Sequence, residues 1–165
     1  MIMKTLYLVR HGKSSWEDMM HQDYERPLIP KGVNRTQKVA SFLLEKNVVP
    51  DLIISSHAVR AFETAKILAK KTGYPLDKIC ISEDLYFLGQ RAMENLIFGL
   101  HDKLNSVMLV GHNPDMTNFA NNFLTEKIDY MPTTGVVCVN FKTQSWTDIF
   151  LAEREISFII RPKDI

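Results

Sequence analysis

Cysteine is scarce: Cys80 and Cys138 are the two in 165 residues, they form no CxxC pair, and both sit in apolar stretches. That spacing offers no disulfide framework, and both are expected to be buried thiols in a reducing compartment, the cytoplasm by default. An excess of charge of one sign is also missing. Twenty Lys and Arg face 19 Asp and Glu, a formal charge of +1. A broadly basic surface for nucleic acid is therefore not expected, and any anion site must be local. No apolar run approaches the roughly 18 residues of a membrane span. The opening Met1-Ile-Met-Lys-Thr-Leu-Tyr-Leu-Val has too short an apolar stretch for a signal peptide. Neither nucleic acid nor a membrane is an expected partner. Repeats, linkers, low-complexity segments, a P-loop and a dinucleotide fingerprint are absent too. What is present, 45% hydrophobic and 24% charged residues, suits one globular domain spanning residues 1–165 with a core of its own.

Leu6 to Val9 is a short apolar run of strand formers that ends in Arg10-His11-Gly12. The stretch from Lys13 to Pro30 has no clean periodicity and is long for a connection, which marks it as a functional loop. Val33, Val39, Ala40, Leu43 and Leu44 then share one helical face, closing near Asn47 before Pro50. Asp51 to Ser55 reads as the second strand. Ser56 is placed to cap a helix through Arg60, Ala61, Thr64, Ala65, Leu68 and Ala69, ended by Gly73 and Pro75. A brief strand at Ile79 to Ser82, a helix from Gln90 to Asp102 and a strand at Ser106 to Val110 follow. Asn113 as cap and Pro114 at the first helical position predict a helix through Phe119 and Phe123. Val136 to Phe141 and Ile156 to Ile160 complete the strands. Alternation of this kind predicts a three-layer α/β/α sandwich with a largely parallel central sheet. Function is expected at the carboxyl ends of its strands.

Arg10 and His11 end the first strand, Arg60 lies one helical turn beyond the second, and His112 follows the strand at Ser106 to Val110. One such residue alone reads as a cap, a core-edge group or a surface pair. Two Arg and two His converging at strand ends make a compact cationic site, without metal-ligand spacing, that suits phosphoryl oxygens. Helix starts near Ser56 and Asn113 would add amide donors.

The segment Leu8-Val9-Arg10-His11-Gly12 resembles the signature of the histidine phosphatase superfamily, which includes cofactor-dependent phosphoglycerate mutases and acid phosphatases. Ser55-Ser56-His57-Ala58-Val59-Arg60-Ala61-Phe62-Glu63-Thr64-Ala65 resembles its second Arg motif, and Val110-Gly111-His112-Asn113-Pro114 its second His motif, in matching order. The short chain, Arg10-His11-Gly12-Lys13-Ser14-Ser15-Trp16, Arg26-Pro27-Leu28 and Arg161-Pro162-Lys163 are most similar to SixA-type phosphohistidine phosphatases. The resemblance implies a phosphoglycerate mutase-like fold. It implies no cofactor and no metal, with His11 as a transiently phosphorylated nucleophile and Arg10, Arg60 and His112 around the phosphoryl oxygens. For the general acid it leaves two candidates, Asp23 in the loop before Arg26 and Glu83 after the brief strand, with Asp23 preferred.

Secondary positions carry two readings each. Ser14 and Ser56 either donate to phosphate or cap and turn the chain. Arg26 is a loop anchor or rim contact. His57 stands where the family commonly has proline, so it either touches substrate or sits at the surface of a helix start. Asn113 and Thr134 approach the pocket or serve as cap and turn; Trp16 and Tyr24 line its mouth or pack the loop. His21 and His101 read as structural or exposed.

The resemblance implies a metal-independent phosphatase, acting on phosphohistidine of a protein such as a His-containing phosphotransfer domain. The alternatives are a small-molecule phosphomonoesterase, a mutase, and a phosphate- or phosphoprotein-binding module without turnover. Mutase-like relatives insert segments after the second strand to cap a small substrate, and this chain has little room for them.

Overall fold

The computed structural model describes residues 3–16 and 22–165. A six-stranded sheet runs in the order β3-β2-β4-β1-β5-β6. Its strands are β1 (Lys4–Arg10), β2 (Leu52–Ser55), β3 (Cys80–Ile81), β4 (Ser106–Gly111), β5 (Val136–Phe141) and β6 (Arg154–Ile160). The β3-β2, β2-β4 and β4-β1 pairs are parallel, whereas β5 joins β1 and β6 antiparallel. The helices are α1 (Pro30–Glu45), α2 (Val59–Thr72), α3 (Gln90–Phe98) and α4 (Asp115–Asn121).

Strand periodicity sorts the apolar residues into two cores, because successive side chains point to opposite faces. Leu6 and Leu8 of β1 pack with Leu109, Val137 and Val139 against Met93 and Ile97 of α3 and Met116 and Phe119 of α4. Tyr7 and Val9 pack with Met108, Val110 and Val136 against Val39 and Leu43 of α1 and Ala65 and Leu68 of α2. Two apolar faces on one sheet require helices on both sides, which is the three-layer sandwich. No helix among the described residues is long and apolar enough to cross a membrane.

Several expectations needed correction. Cys138 is buried, but Cys80 is exposed, because β3 is a two-residue strand at the sheet edge. The helix expected through Asp102 stops at Phe98, where Gly99 follows. Pro30 opens α1 instead of ending the loop, since its missing N–H costs nothing at the first helical position. The loop itself is partly built: Ser14 bridges Leu28, and Asp23–Glu25 form a 3-10 turn. Ser56 lies short of α2, whose cap is Ala58, and α4 begins after Pro114, leaving Phe123 beyond its end. Asn113 still serves that helix, its Oδ1 accepting from Thr117 N at 3.2 Å and Thr117 Oγ1 at 2.8 Å.

Candidate active site

Register brings the two histidines together. Arg10 of β1 pairs with Gly111 of β4, and Ser55 of β2 pairs with Val110, so the residues that follow emerge side by side. The backbone continues the pattern past the strands, with His11 N donating to Gly111 O at 3.0 Å and Ser56 N to Val110 O at 2.9 Å. The His11 and His112 rings then lie 5.0 Å apart. Close packing holds this floor. A Cβ on Gly12 would stand 2.8 Å from Thr36 Oγ1, and one on Gly32 would stand 2.1 Å from the Lys13 carbonyl oxygen. The start of α1 therefore sits directly on the chain leaving β1.

His11 Nδ1 is 2.7 Å from the Gly12 carbonyl oxygen. A carbonyl accepts only, so Nδ1 carries the proton and Nε2 holds the lone pair. Arg60 Nε donates toward that nitrogen at 3.4 Å. Gly12 N donates to Thr64 Oγ1 at 2.9 Å, and Thr64 Oγ1 donates to the Arg60 carbonyl at 2.7 Å, which ties the His11 turn to α2. His112 Nε2 and Ser56 Oγ are 2.8 Å apart, and Ser56 Oγ accepts from Ala58 N at 3.1 Å. Arg10 Nη1 donates to the Met131 carbonyl at 3.0 Å. Arg10 Nε and His112 Nδ1 are buried and have no hydrogen-bond partner among the described residues. Leaving such groups unpaired is costly, so their occurrence at one cleft points to an anionic ligand that satisfies them.

The cleft measures about 380 Å³. Arg10, Lys13, Arg26, Arg35 and Arg60 line it, five cations against the single carboxylate of Asp23. Burial, and then the charges of Arg60, Arg10 and Arg26, push the His11 imidazole from 6.5 down to about 3. Burial, followed by the neighbouring His11 and Arg60, lowers His112 to about 2. Both rings are neutral at pH 7, and His11 is ready to attack through nitrogen. Among the described residues no group of three or more His, Cys, Asp or Glu is placed to hold a metal ion.

Asp23 spans the cleft edge. Its Oδ1 accepts from Arg26 Nη2 at 2.8 Å, its Oδ2 from Arg60 Nη2 at 3.1 Å and from the Tyr86 hydroxyl, and its carbonyl from Arg60 Nη1 at 2.8 Å. Burial would raise this carboxyl, but the Tyr86, Arg26 and Arg60 hydrogen bonds outweigh it and hold Asp23 well below the usual carboxylate range. Glu83 is exposed in the 3-10 turn Glu83–Leu85 and does not line the cleft.

The remaining candidates are spread around the cleft. Ser14, Asn113 and Arg26 line it, and Arg26 also donates to the Ser15 carbonyl at 2.9 Å while its guanidinium stacks 4.0 Å from the Trp16 ring. Trp16 is 81% exposed at the mouth. His57 is half-buried, its ring 4.6 Å from Tyr86 and 6.0 Å from Tyr24. Thr134 is buried, and its N–H donates to the Arg10 and His11 carbonyls, both at 3.0 Å. His101 is exposed, and His21 lies outside the described residues. Sequence reasoning missed Tyr86, Phe87 and the anchor Thr64. Phe87, at φ 58°, sets its ring 4.8 Å from His112. Nothing in Leu85-Tyr86-Phe87-Leu88 signals this, whereas Thr64 falls one turn after Arg60 and was legible as its helix neighbour.

A family model of the histidine phosphatase superfamily, branch 1, matches residues 6–85. An uncharacterized chloroplastic protein of Arabidopsis thaliana is 30% identical over 158 residues, covering 90% of this chain and 72% of the relative. Among solved structures, a protein of Agrobacterium tumefaciens assigned as the phosphohistidine phosphatase SixA superposes with a TM-score of 0.81 at 24% identity. That match covers 96% of this chain and 98% of the other. A protein histidine phosphatase SixA complexed with tungstate superposes with a TM-score of 0.77 at 17% identity, covering 97% and 98%. At these identities the two structures establish a shared fold.

Proposed function

Because this chain belongs to the histidine phosphatase superfamily, we propose that it is a metal-independent phosphatase working through a phosphorylated His11. The observation that carries this reading is the tautomer of His11. Its Nδ1 proton is held by the Gly12 carbonyl, and its Nε2 lone pair faces Arg60. In the first step Nε2 forms a bond to phosphorus as the bond to the substrate's leaving group breaks. In the second, water oxygen bonds to phosphorus, His11 leaves as a neutral imidazole, and the water proton passes to solvent. Arg10, Arg60 and His112 bind the equatorial oxygens, with Arg10 Nε as a donor left unpaired by the protein and His112 Nδ1 as a second in the tautomer whose Nε2 accepts from Ser56 Oγ. Ser56 orients His112, while Ser14, Arg26 and Asn113 line the approach.

The substrate class we favour is phosphohistidine on a protein. An alkoxide leaving group needs a proton from the enzyme. An imidazole leaves neutral once its other nitrogen has taken a proton from solvent. Asp23, held ionised by three donors, is a poor acid and is assigned here as a positioning residue for Arg60 and Arg26. Glu83 is not among the residues that line the cleft and is assigned no role here. The SixA-like fold supports the same substrate, and the free thiols of Cys80 and Cys138 fit a reducing compartment such as the cytoplasm.

The test is phosphate release from a phosphohistidine peptide and a matched phosphoserine peptide, by wild type and His11→Ala, in chelator. Release from phosphohistidine alone, lost in the variant, is the expected result. Faster release from phosphoserine would overturn the substrate class. Release from neither, with phosphate still bound, would favour a binding module, or a phosphomonoesterase if small phosphoesters are turned over.

A further inference from the structure

Arg161-Pro162-Lys163 has no part in the chemistry above, although the chain brings it beside the cleft. These residues line a groove of about 610 Å³ together with Arg35 and Thr133, and Arg35 and Thr133 also line the catalytic cleft. The two hollows therefore adjoin, with Arg35 and Thr133 lining both. Arg35, Lys127, Arg161 and Lys163 face this groove against the single carboxylate of Asp129. The chain as a whole carries only +1, so this is a local concentration of charge and not a property of the whole surface.

The cations are held in different ways. Lys127 Nζ donates to the Asn121 and Leu124 carbonyls at 2.6 and 2.7 Å, which fixes its charge on the wall. Arg161 shares its Nε with Asp164 at 2.7 Å, yet its side chain is more than half exposed, and Lys163 is exposed as well. Tyr130, 66% exposed, and Pro132 add apolar surface between the charges. Basic side chains interleaved with flat apolar ones match an extended acidic polypeptide: its carboxylates meet the cations and its backbone lies on the rings.

We propose that the groove docks an acidic segment of the phosphoprotein, next to the residue whose phosphoryl group enters the cleft. The inference rests on the protein-substrate reading above and adds what selects the protein. Docking raises encounter rate and affinity by electrostatic attraction, so it weakens with salt.

Two fluorescent peptides with the same unphosphorylated histidine, one flanked by Asp and Glu and one by Ala and Ser, are titrated into wild type, His11→Ala and the double variant Arg161→Glu, Lys163→Glu. The substituted pair is exposed, and an unchanged circular dichroism spectrum and urea midpoint of the double variant show that the fold is intact. The expected result is about tenfold tighter binding of the acidic peptide, kept in His11→Ala, lost in the double variant and reduced at high salt. Equal binding of the two peptides, or a preference that survives the double variant, would overturn the proposal. Inorganic pyrophosphate binding that depends on Arg161 and Lys163, without peptide preference, would overturn it in favour of a small polyphosphate. If the acidic preference holds but no phosphohistidine peptide is turned over, docking stands and the substrate reading fails instead.

Discussion

Replacing Asp23 by Asn separates positioning from proton donation. In the structure the carboxylate joins Arg26, Arg60 and Tyr86, while the Asp23 carbonyl holds Arg60 independently. With its oxygen in the place of Oδ2, Asn keeps the Arg60 and Tyr86 bonds, loses the Arg26 bond together with the negative charge, and leaves the backbone bond in place. A charge-assisted bond such as that to Arg26 is worth about 1.5–3 kcal/mol when buried. The Asp23 side chain is 46% exposed, so screening reduces the loss to about 1 kcal/mol. That corresponds to a roughly fivefold fall in kcat/KM, alike for every leaving group. A general acid would instead cost about 100-fold to 10,000-fold, and more for a poorer leaving group. The assay is kcat/KM of Asp23→Asn on a phosphohistidine peptide and on aryl phosphates of graded phenol acidity. A loss above 100-fold that grows with the pKa of the phenol would refute the positioning role, and would mean that Asp23 leaves Arg60 to donate its proton.

Arg10→Ala removes a buried donor with an unpaired Nε and should lower kcat by about 100-fold to 1,000-fold, measured by phosphate release. Gly32→Ala drives a Cβ to 2.1 Å from the Lys13 carbonyl oxygen. It should cost about 2–3 kcal/mol in urea unfolding, whereas Gly73→Ala, in open space at φ 81°, should cost about 1 kcal/mol. The unfolded chain takes up protons on histidine near pH 6.5, but folded His11 and His112 do so only near 3 and 2. Their contribution to stability is present above pH 6.5 and is lost progressively as pH falls towards 3, so the urea midpoint should drop across that window. His11→Ala should flatten the drop; an unchanged slope would mean that the ring protonates without penalty.

Much of this protein was determined locally. Leu6 to Val9 and Ser106 to Val110 read as strands from the sequence, because short apolar runs rich in strand formers suit a buried pleat. Their alternation with helical faces of the right length left few layer arrangements open. Arg10, His11, Arg60 and His112 were legible as a set, since each ends a strand or follows one at short range. Tertiary structure decided what depends on contacts distant in sequence. The strand order put Cys80 on an edge and exposed it. The register of β1 against β4, Arg10 opposite Gly111, set the spacing of the two imidazoles. Folding also drew Tyr86, some 60 residues away in the chain, onto Asp23, and so left that carboxylate charged. Arg161 and Lys163 came to lie beside Arg35 in the same way. Periodicity and capping act over one or two turns of chain, whereas the state of a carboxylate follows from whichever donors packing places around it.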